Sequence, residues 1–523
     1  MRRFLLAACC ALLALAPAAA RAQQRTLTIA AQSAPTALDP HFHNSNSNNA
    51  ILRHVFDPLV DFDTAGRLVP RLAESWRAVD DLTWEFRLRE GLRFHDGTPL
   101  GPEDVAFSFA RLPQVPNSPG SFASAVRQVT SVTAVDSRTV RVATREPAPF
   151  LDAQLSGVLI LSRRLHEGAT TADFNNGRAM VGTGPYRHVS YEHGDRLEVA
   201  ADPDHWGGRP PWDRVRMRFV PNPGARAAAL LAGDVDLIDG VAPQDVARLS
   251  ADPRLAVFGV ESNGTAYLFP DAARDRAPFV SDRQGRPLDR NPLRDRRVRE
   301  ALSLAVNRQG IVERLLAGQG APAEQFAPPR VLGRAPGMPP LPLDPARARR
   351  LLAEAGYPEG FRLTIHGPNG WFPGDAEVLQ AIAQGFTRVG VEAAVETLPT
   401  ATFFARATNR DFALFMTTYA SNVAAITLQQ VVATRNPAAA MGPFNRQHYS
   451  NPAVDDPLNE ALRTMDRERR DAFTAEAMRA AIGDVAVIPV FYLKNNWAAV
   501  RSRVRYDPHP GWYTNALLAT PVD

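Results

Sequence analysis

The sequence predicts an α/β fold with more than one core, on three grounds. At 523 residues the chain is several times the usual domain length. Its second half alternates segments of helical and extended periodicity, the signature of α/β layering with parallel strands. Its first third carries short alternating runs separated by turn residues, an α+β pattern.

Met1-Arg2-Arg3 is a short cationic start, Phe4 to Ala16 is an apolar run, and Ala20-Arg21-Ala22 has the small residues of a cleavage site. Residues 1–22 therefore read as a secretory signal peptide, and the apolar run is shorter than the roughly 20 residues of a membrane span. Leu6-Ala7-Ala8-Cys9 has the letters of a lipid-modified cysteine, but it would leave most of the apolar run on the mature chain. Both cysteines, Cys9 and Cys10, lie inside the signal, so the mature chain is expected to have no thiol chemistry.

Thr26 to Ile29 alternates as a first strand. Trp84, Phe86 and Leu88 form the apolar face of another, followed by the turn His95-Asp96-Gly97-Thr98-Pro99. Pro102-Glu103-Asp104 then opens an amphipathic helix through Val105, Phe109 and Leu112, with proline and acids in the first turn. Val132 to Val135 and Thr139 to Val142 flank Asp136-Ser137-Arg138 as a hairpin. Further on, helices are predicted around Val298 to Ala305, Ala346 to Ala355, Ala376 to Val389 and Phe403 to Thr408. Strands are predicted at Phe361 to Ile365, Glu392 to Thr397 and Phe412 to Thr418. Two charged helices, Asp455 to Met465 and Arg469 to Ile482, precede the strand Val485 to Tyr492.

With 45% hydrophobic and 22% charged residues the chain is neither disordered nor collagen-like nor polytopic. The formal charge of +4 falls to +1 without Arg2, Arg3 and Arg21, so a nucleic-acid partner is not expected. Lys494 is the only lysine.

Nine motifs then occur in a characteristic order. Pro35 to His41 (PTALDPH), Leu72 to Trp76 (LAESW), Leu82 to Arg89 (LTWEFRLR), Phe94 to Leu100 (FHDGTPL) and Val181 to Tyr186 (VGTGPY) come first. Leu231 to Ile238 (LAGDVDLI), Val298 to Leu302 (VREAL), Leu351 to Tyr357 (LLAEAGY) and Tyr449 to Pro452 (YSNP) follow. Over nearly the whole mature length the chain resembles the family 5 extracellular solute-binding proteins of ABC importers, the dipeptide, oligopeptide and nickel class. The resemblance implies a two-lobed, type II-like periplasmic-binding-protein fold with an extra α+β subdomain inserted in lobe one. Lobe one would comprise residues 23–67, 186–269 and 494–523, the insertion 68–185, and lobe two 270–493. It further implies a periplasmic monomer without a cofactor or direct membrane insertion, capturing a small-molecule ligand between the lobes and delivering it to an ABC permease with its ATPase. Closure would act by population shift.

Three places are candidate ligand contacts. His43, Asn44 and Asn46 belong to a polar run reaching Asn49, which serves equally as one lip of the cleft or as the cap of the next helix. Asn263, Thr265 and Tyr267 follow a predicted strand where the family lines its pocket floor. Peptide-binding relatives carry, after the strand matching Phe412 to Thr418, a Trp and three residues later an Asp that grips the peptide ammonium. Here these positions are Tyr419 and Asn422. Asparagine cannot neutralise a buried ammonium, so a zwitterionic peptide held in the usual way is not expected. Trp371 and Phe372, in a Gly/Pro-rich loop, supply an aromatic pair in reach of the cleft.

Other motifs read structurally. Gly182-Thr183-Gly184-Pro185 is too short for a phosphate loop and reads as a tight turn. Asp234, Asp236 and Asp239 read as edge or turn acids, since a calcium loop needs a longer ligand series. His41 and His43 lack a third metal ligand and read as surface histidines, with no metal site expected. Receptors for a metal chelate, opine or sugar derivative remain alternatives, as does a secreted hydrolase, although no His-Glu-x-x-His or Gly-x-Ser-x-Gly motif occurs.

Overall fold

The computed structural model describes residues 25–372, 374–511 and 514–522; the leader and its two cysteines lie outside them. Its frame is one long mixed sheet. The strand Thr26–Ala31 lies parallel to Arg214–Phe219 and Leu237–Ile238, and Arg196–Ala201 and Tyr186–Glu192 continue the sheet on one side. On the other side Phe361–Asn369 runs parallel to Val391–Pro399 and Leu414–Ala420.

Two strands join these halves, Leu255–Pro270 and Ile488–Val500. They pair antiparallel from Leu255↔Val500 to Glu261↔Lys494, lose register across Ser262, Asn263 and Gly264, and pair again from Thr265↔Tyr492 to Leu268↔Ile488. Because Leu255–Pro270 is antiparallel to both neighbours, the second half is a mixed sheet and not the all-parallel one expected. The strand predicted to end at Tyr492 continues to Val500: six consecutive buried residues, Ile488 to Leu493 without Lys494, hide the fact that the strand simply crosses into the other half.

A four-stranded antiparallel sheet forms a separate layer, in the order Ala73–Asp80, Thr83–Leu88, Thr139–Thr144, Val129–Ala134. Trp84, Phe86 and Leu88 point into its core with Val140 and Val142, each burial contributing about 1.5–3 kcal/mol. The helix Pro102–Arg111 covers this core through Val105 and Phe109, with Glu103 and Asp104 in its first turn. Leu59 and Val60 join the same core, whereas Leu161, Phe174 and Met180 pack with Leu27, Ile29 and Val215 under the first sheet half.

Gly182 and Gly184 permit the return from this layer. A side chain on Gly182 would collide with the Val55 carbonyl, and a Cβ on Gly184 would lie 2.8 Å from the His54 carbonyl oxygen. Gly184 N and Tyr186 N donate to the Val55 and His54 carbonyls at 2.9 and 2.8 Å. The turn is therefore a backbone-to-backbone seam where no Cβ fits.

Several polar residues read as surface features are internal anchors. Asp236 accepts from Thr28 N (2.8 Å) and pairs with Arg503 (2.6 Å), while Asp239 accepts from Gln32 N and the Thr514 hydroxyl. Both acids are buried and stand in the bends on either side of Leu237–Ile238, turn acids and not edge ones. His41 is also buried, its Nε2 2.8 Å from the Leu159 carbonyl, not at the surface. In each case backbone partners satisfy a polar atom that spacing alone cannot place.

Candidate ligand-binding cleft

Two cavities open, one between the inserted layer and the second half and one between the two sheet halves. The first, about 520 Å³, lies between residues 120–154 of that layer and residues 419–463 of the second half. Asn44 reaches it from the lip and Tyr419 from the end of its strand; Gln154, Gln429, Gln430 and Asn459 contribute amides. Phe150, Met441 and Phe444 supply apolar surface. The Gln429 Oε1 is buried without a hydrogen-bond partner. Such a lining of neutral donors and acceptors beside aromatic surface suits a polar organic molecule held by directional hydrogen bonds.

Arginines bridge the rim. Arg127 donates to the Ala438 and Ala439 carbonyls at 3.0 and 2.9 Å, and Arg470 donates to the Pro149 carbonyl at 2.8 Å while lying 4.7 Å over the Phe150 ring. These contacts tie the inserted layer to the second half, so the cavity is fenced on two sides by charge-assisted hydrogen bonds.

The second cavity, about 410 Å³, sits at the carboxyl ends of Thr26–Ala31, Arg214–Phe219, Leu237–Ile238 and Phe361–Asn369, through Gln32, Pro221, Asp239 and Asn369. In sheets of this kind the crevice beyond the strand carboxyl ends is where ligands bind, because backbone and loop groups converge there. Trp371 and Trp497 form its aromatic walls, and Lys494, Asn495 and Asn496 its floor.

The structure thus splits the candidate residues. Asn44 and Tyr419 line the first cavity; Trp371 and Phe372 line the second. Trp371 is exposed, donates its indole N–H to the Thr418 hydroxyl at 2.8 Å and meets Phe404 edge-on, whereas Phe372 is buried against Phe491. Asn263 lies at the register break, its amide donating 2.6 Å to Asn422 Oδ1 while its own Oδ1 stays unpartnered. Thr265 and Tyr267 are buried beneath it, Tyr267 packing on Phe326 at 4.6 Å.

His43 is held 3.1 Å from the Thr36 hydroxyl and backs onto Gly120, and burial pushes its imidazole pKa down. Asn46 opens the helix Asn46–Leu52, which Ser45 caps from its side chain onto Asn48 N. In the polar run Ser45 and Asn48 are structural, and Asn44 lines the first cavity.

Burial raises the Tyr419 and Tyr267 phenol pKa values, keeping both neutral donors, and burial lowers that of Arg446, which lies over the Phe404 and Phe444 rings at 5.2 and 5.3 Å. Sequence reasoning missed Arg127, Gln429, Gln430, Phe444 and Arg463. The one available signal for the second cavity was the polar triplet Lys494-Asn495-Asn496 interrupting an apolar strand. Among the described residues no group of three or more His, Cys, Asp or Glu side chains is placed to hold a metal ion, and no helix is long and apolar enough to cross a membrane.

The profile of bacterial extracellular solute-binding proteins, family 5 Middle, matches residues 67–425. The chain belongs to this family. It is 28% identical over 454 residues to the glutathione-binding protein GsiB of Escherichia coli O1:K1 / APEC, covering 84% of each chain. To heme-binding protein A of Haemophilus influenzae it is 28% identical over 509 residues, covering 91% of this chain and 88% of the relative. The solved structure of HbpA2 from Haemophilus parasuis superposes with a TM-score of 0.79 at 24% identity, over 95% of this chain and 99% of that one. This last likeness bears on the fold, and the two-lobed family 5 architecture accounts for the split sheet described above.

Proposed function

We propose that the chain is the periplasmic receptor of an ABC import system. It would capture a small organic solute between its lobes and present the closed form to a membrane permease energised by a separate ATPase. The observation that carries this reading is that one cavity lies between the sheet halves and the other between the inserted layer and the second half, while two strands whose ladder breaks at Ser262 to Gly264 run through both halves. Such a break lets two rigid bodies rotate while the rest of the sheet stays paired.

In this reading residues 1–22 are removed on export, the mature chain acts as a monomer, and no bond in the solute is made or broken. Lobe one comprises 23–67, 186–269 and 494–523, with 68–185 inserted and 270–493 forming lobe two; the register break supports the boundary near 494 and, on the facing strand, falls at 262–264, ahead of 269. Relatives named for glutathione and heme favour a small organic solute. The neutral Asn263–Asn422 pair favours one that is not gripped by a free ammonium.

Mass spectrometry of the small molecule that co-purifies with the native protein tests this. One organic solute, recovered unchanged, that raises the melting temperature and contracts the radius of gyration is expected. A solute released chemically altered, or cell extracts that change neither quantity, would refute the receptor reading. A metal-chelate receptor would instead lose its melting shift on addition of chelator.

A further inference from the structure

Four ionisable side chains among the described residues line the second cavity: Arg226, Asp239, Asp375 and Lys494. Three are consumed internally. Arg226 spends its guanidinium on the carbonyls of Val220, Pro221, Asp239 and Gly240, at 2.7 to 3.0 Å. Asp239 accepts from Gln32 N and Thr514, and Asp375 accepts from Trp371 N and Ala376 N at 2.8 and 2.9 Å.

Lys494 differs. It is half-buried, yet among the described residues it donates no hydrogen bond and forms no ion pair, not even with Glu261 opposite it in the ladder. Beside it the Asn495 amide nitrogen is buried without an acceptor, in a side chain only 8% exposed. Desolvating an ammonium and an amide with no partner is costly unless another molecule pairs with them.

The backbone repeats the pattern. Leu237–Ile238 pairs with Ala498 and Ala499, and Gly320–Pro322 pairs with Phe491 to Leu493, so residues 494–497 have no strand neighbour on that side. The Val241 N–H reaches the Asn496 carbonyl at 3.1 Å across this gap. Lys494 and the open strand edge thus line the same cavity as Trp371, Asn495 and Trp497; on the strand Lys494 lies with Asn496 on the face of Gly259, and Asn495 turns to the opposite face.

We propose that this cavity is a carboxylate subsite, in which Lys494 receives an anionic end of the solute while the aromatic residues of the wall flank its apolar part. This rests on the receptor reading and adds to it the charge of the solute. Ammonium to carboxylate is a charge-assisted pairing, strong when water is excluded.

The single lysine makes the test direct. Reductive methylation of the full mature protein with 13C-formaldehyde labels one lysine side chain and preserves its charge. The labelled protein is titrated with glutathione against its diethyl ester, and with trialanine against trialanine amide, reading the dimethyl-lysine resonance and the melting temperature. The carboxylate probes are expected to move that resonance and to bind about 10- to 100-fold more tightly than their neutral partners. Lys494→Arg is expected to keep this preference and Lys494→Gln to lose it, with unliganded melting temperatures close to the parent. Equal binding of acid and neutral forms, a preference that survives in Lys494→Gln, or a resonance that no carboxylate probe moves would overturn the inference. These outcomes leave the receptor reading standing, since that fails on a chemically altered solute or on cell extracts that change neither melting nor radius of gyration.

Discussion

Acid sensitivity follows from two buried imidazoles, His41 and His54. His41 and His54 are both fully buried, and burial pushes each pKa down to about 4, with the Arg111 charge adding to the effect at His41. The hydrogen bonds agree: His54 Nε2 accepts from Ala516 N at 3.0 Å while Nδ1 faces the Ile51 carbonyl at 2.9 Å, so a second ring proton would point at a donor. The His41 Nδ1 is buried without a partner. In the unfolded chain both titrate near 6.5. The folded pKa being the lower one, the unfolded state binds more protons, and stability is complete above pH 6.5 and is lost as pH falls toward 4. At pH 5 the loss is about 2 kcal/mol per histidine, about 4 kcal/mol for the two. With an unfolding entropy of about 1 kcal/mol/K for a chain of this length, that lowers the melting temperature by about 4 °C. Seven other histidines, among them His95, His166 and His509, are shifted in the same direction and deepen the fall. Scanning calorimetry at pH 8 and pH 5, in buffers of different ionisation enthalpy, measures both the shift and the protons taken up on unfolding. At pH 5 the two rings alone account for about 1.8 protons. Uptake below one proton, or a melting temperature unchanged between the two pH values, would refute the assignment of these rings as buried and neutral.

Three further outcomes are expected. Arg111→Gln strips the bidentate partner, at 2.8 and 2.7 Å, from the fully buried Asp39 carboxylate and should cost about 3–5 kcal/mol; a loss under 1 kcal/mol by urea titration contradicts the pairing. Gly184→Ala drives a methyl into the Val55 and His54 backbone and should destabilise by at least about 2 kcal/mol, whereas a parent-like denaturation midpoint would disprove the seam. Asn422→Asp places a carboxylate beside the Asn263 amide and should make trialanine bind at least about 10-fold more tightly than its N-acetyl form; calorimetric titration showing no such preference would exclude that position as an ammonium contact.

Elements with a clear period were legible because one face of each is buried: Thr83–Leu88, Pro102–Arg111 and Asp375–Arg388 lie within a few residues of their expected bounds. Strand direction was not legible, since Leu255–Pro270 has the same apolar pattern whether its neighbours run with it or against it. The cleft was harder still. Arg127 and Arg463 resemble dozens of solvated arginines in the sequence, and only the approach of segments some 300 residues apart makes the first a bridge to Ala438. His41 was misplaced for the converse reason, because a polar letter says nothing of the backbone groups waiting to satisfy it.

The pairing of Leu255–Pro270 with Ile488–Val500 also dictates an order of assembly. Leu268 meets Ile488, and Ile238 meets Ala498, so both sheet halves need a strand that leaves the ribosome long after the residues it pairs with. Closing loops of that length is entropically slow. A nascent copy therefore remains two unstitched fragments until Ile488–Val500 emerges, and a nonsense mutation anywhere before residue 488 deprives both sheet halves of their common seam at once.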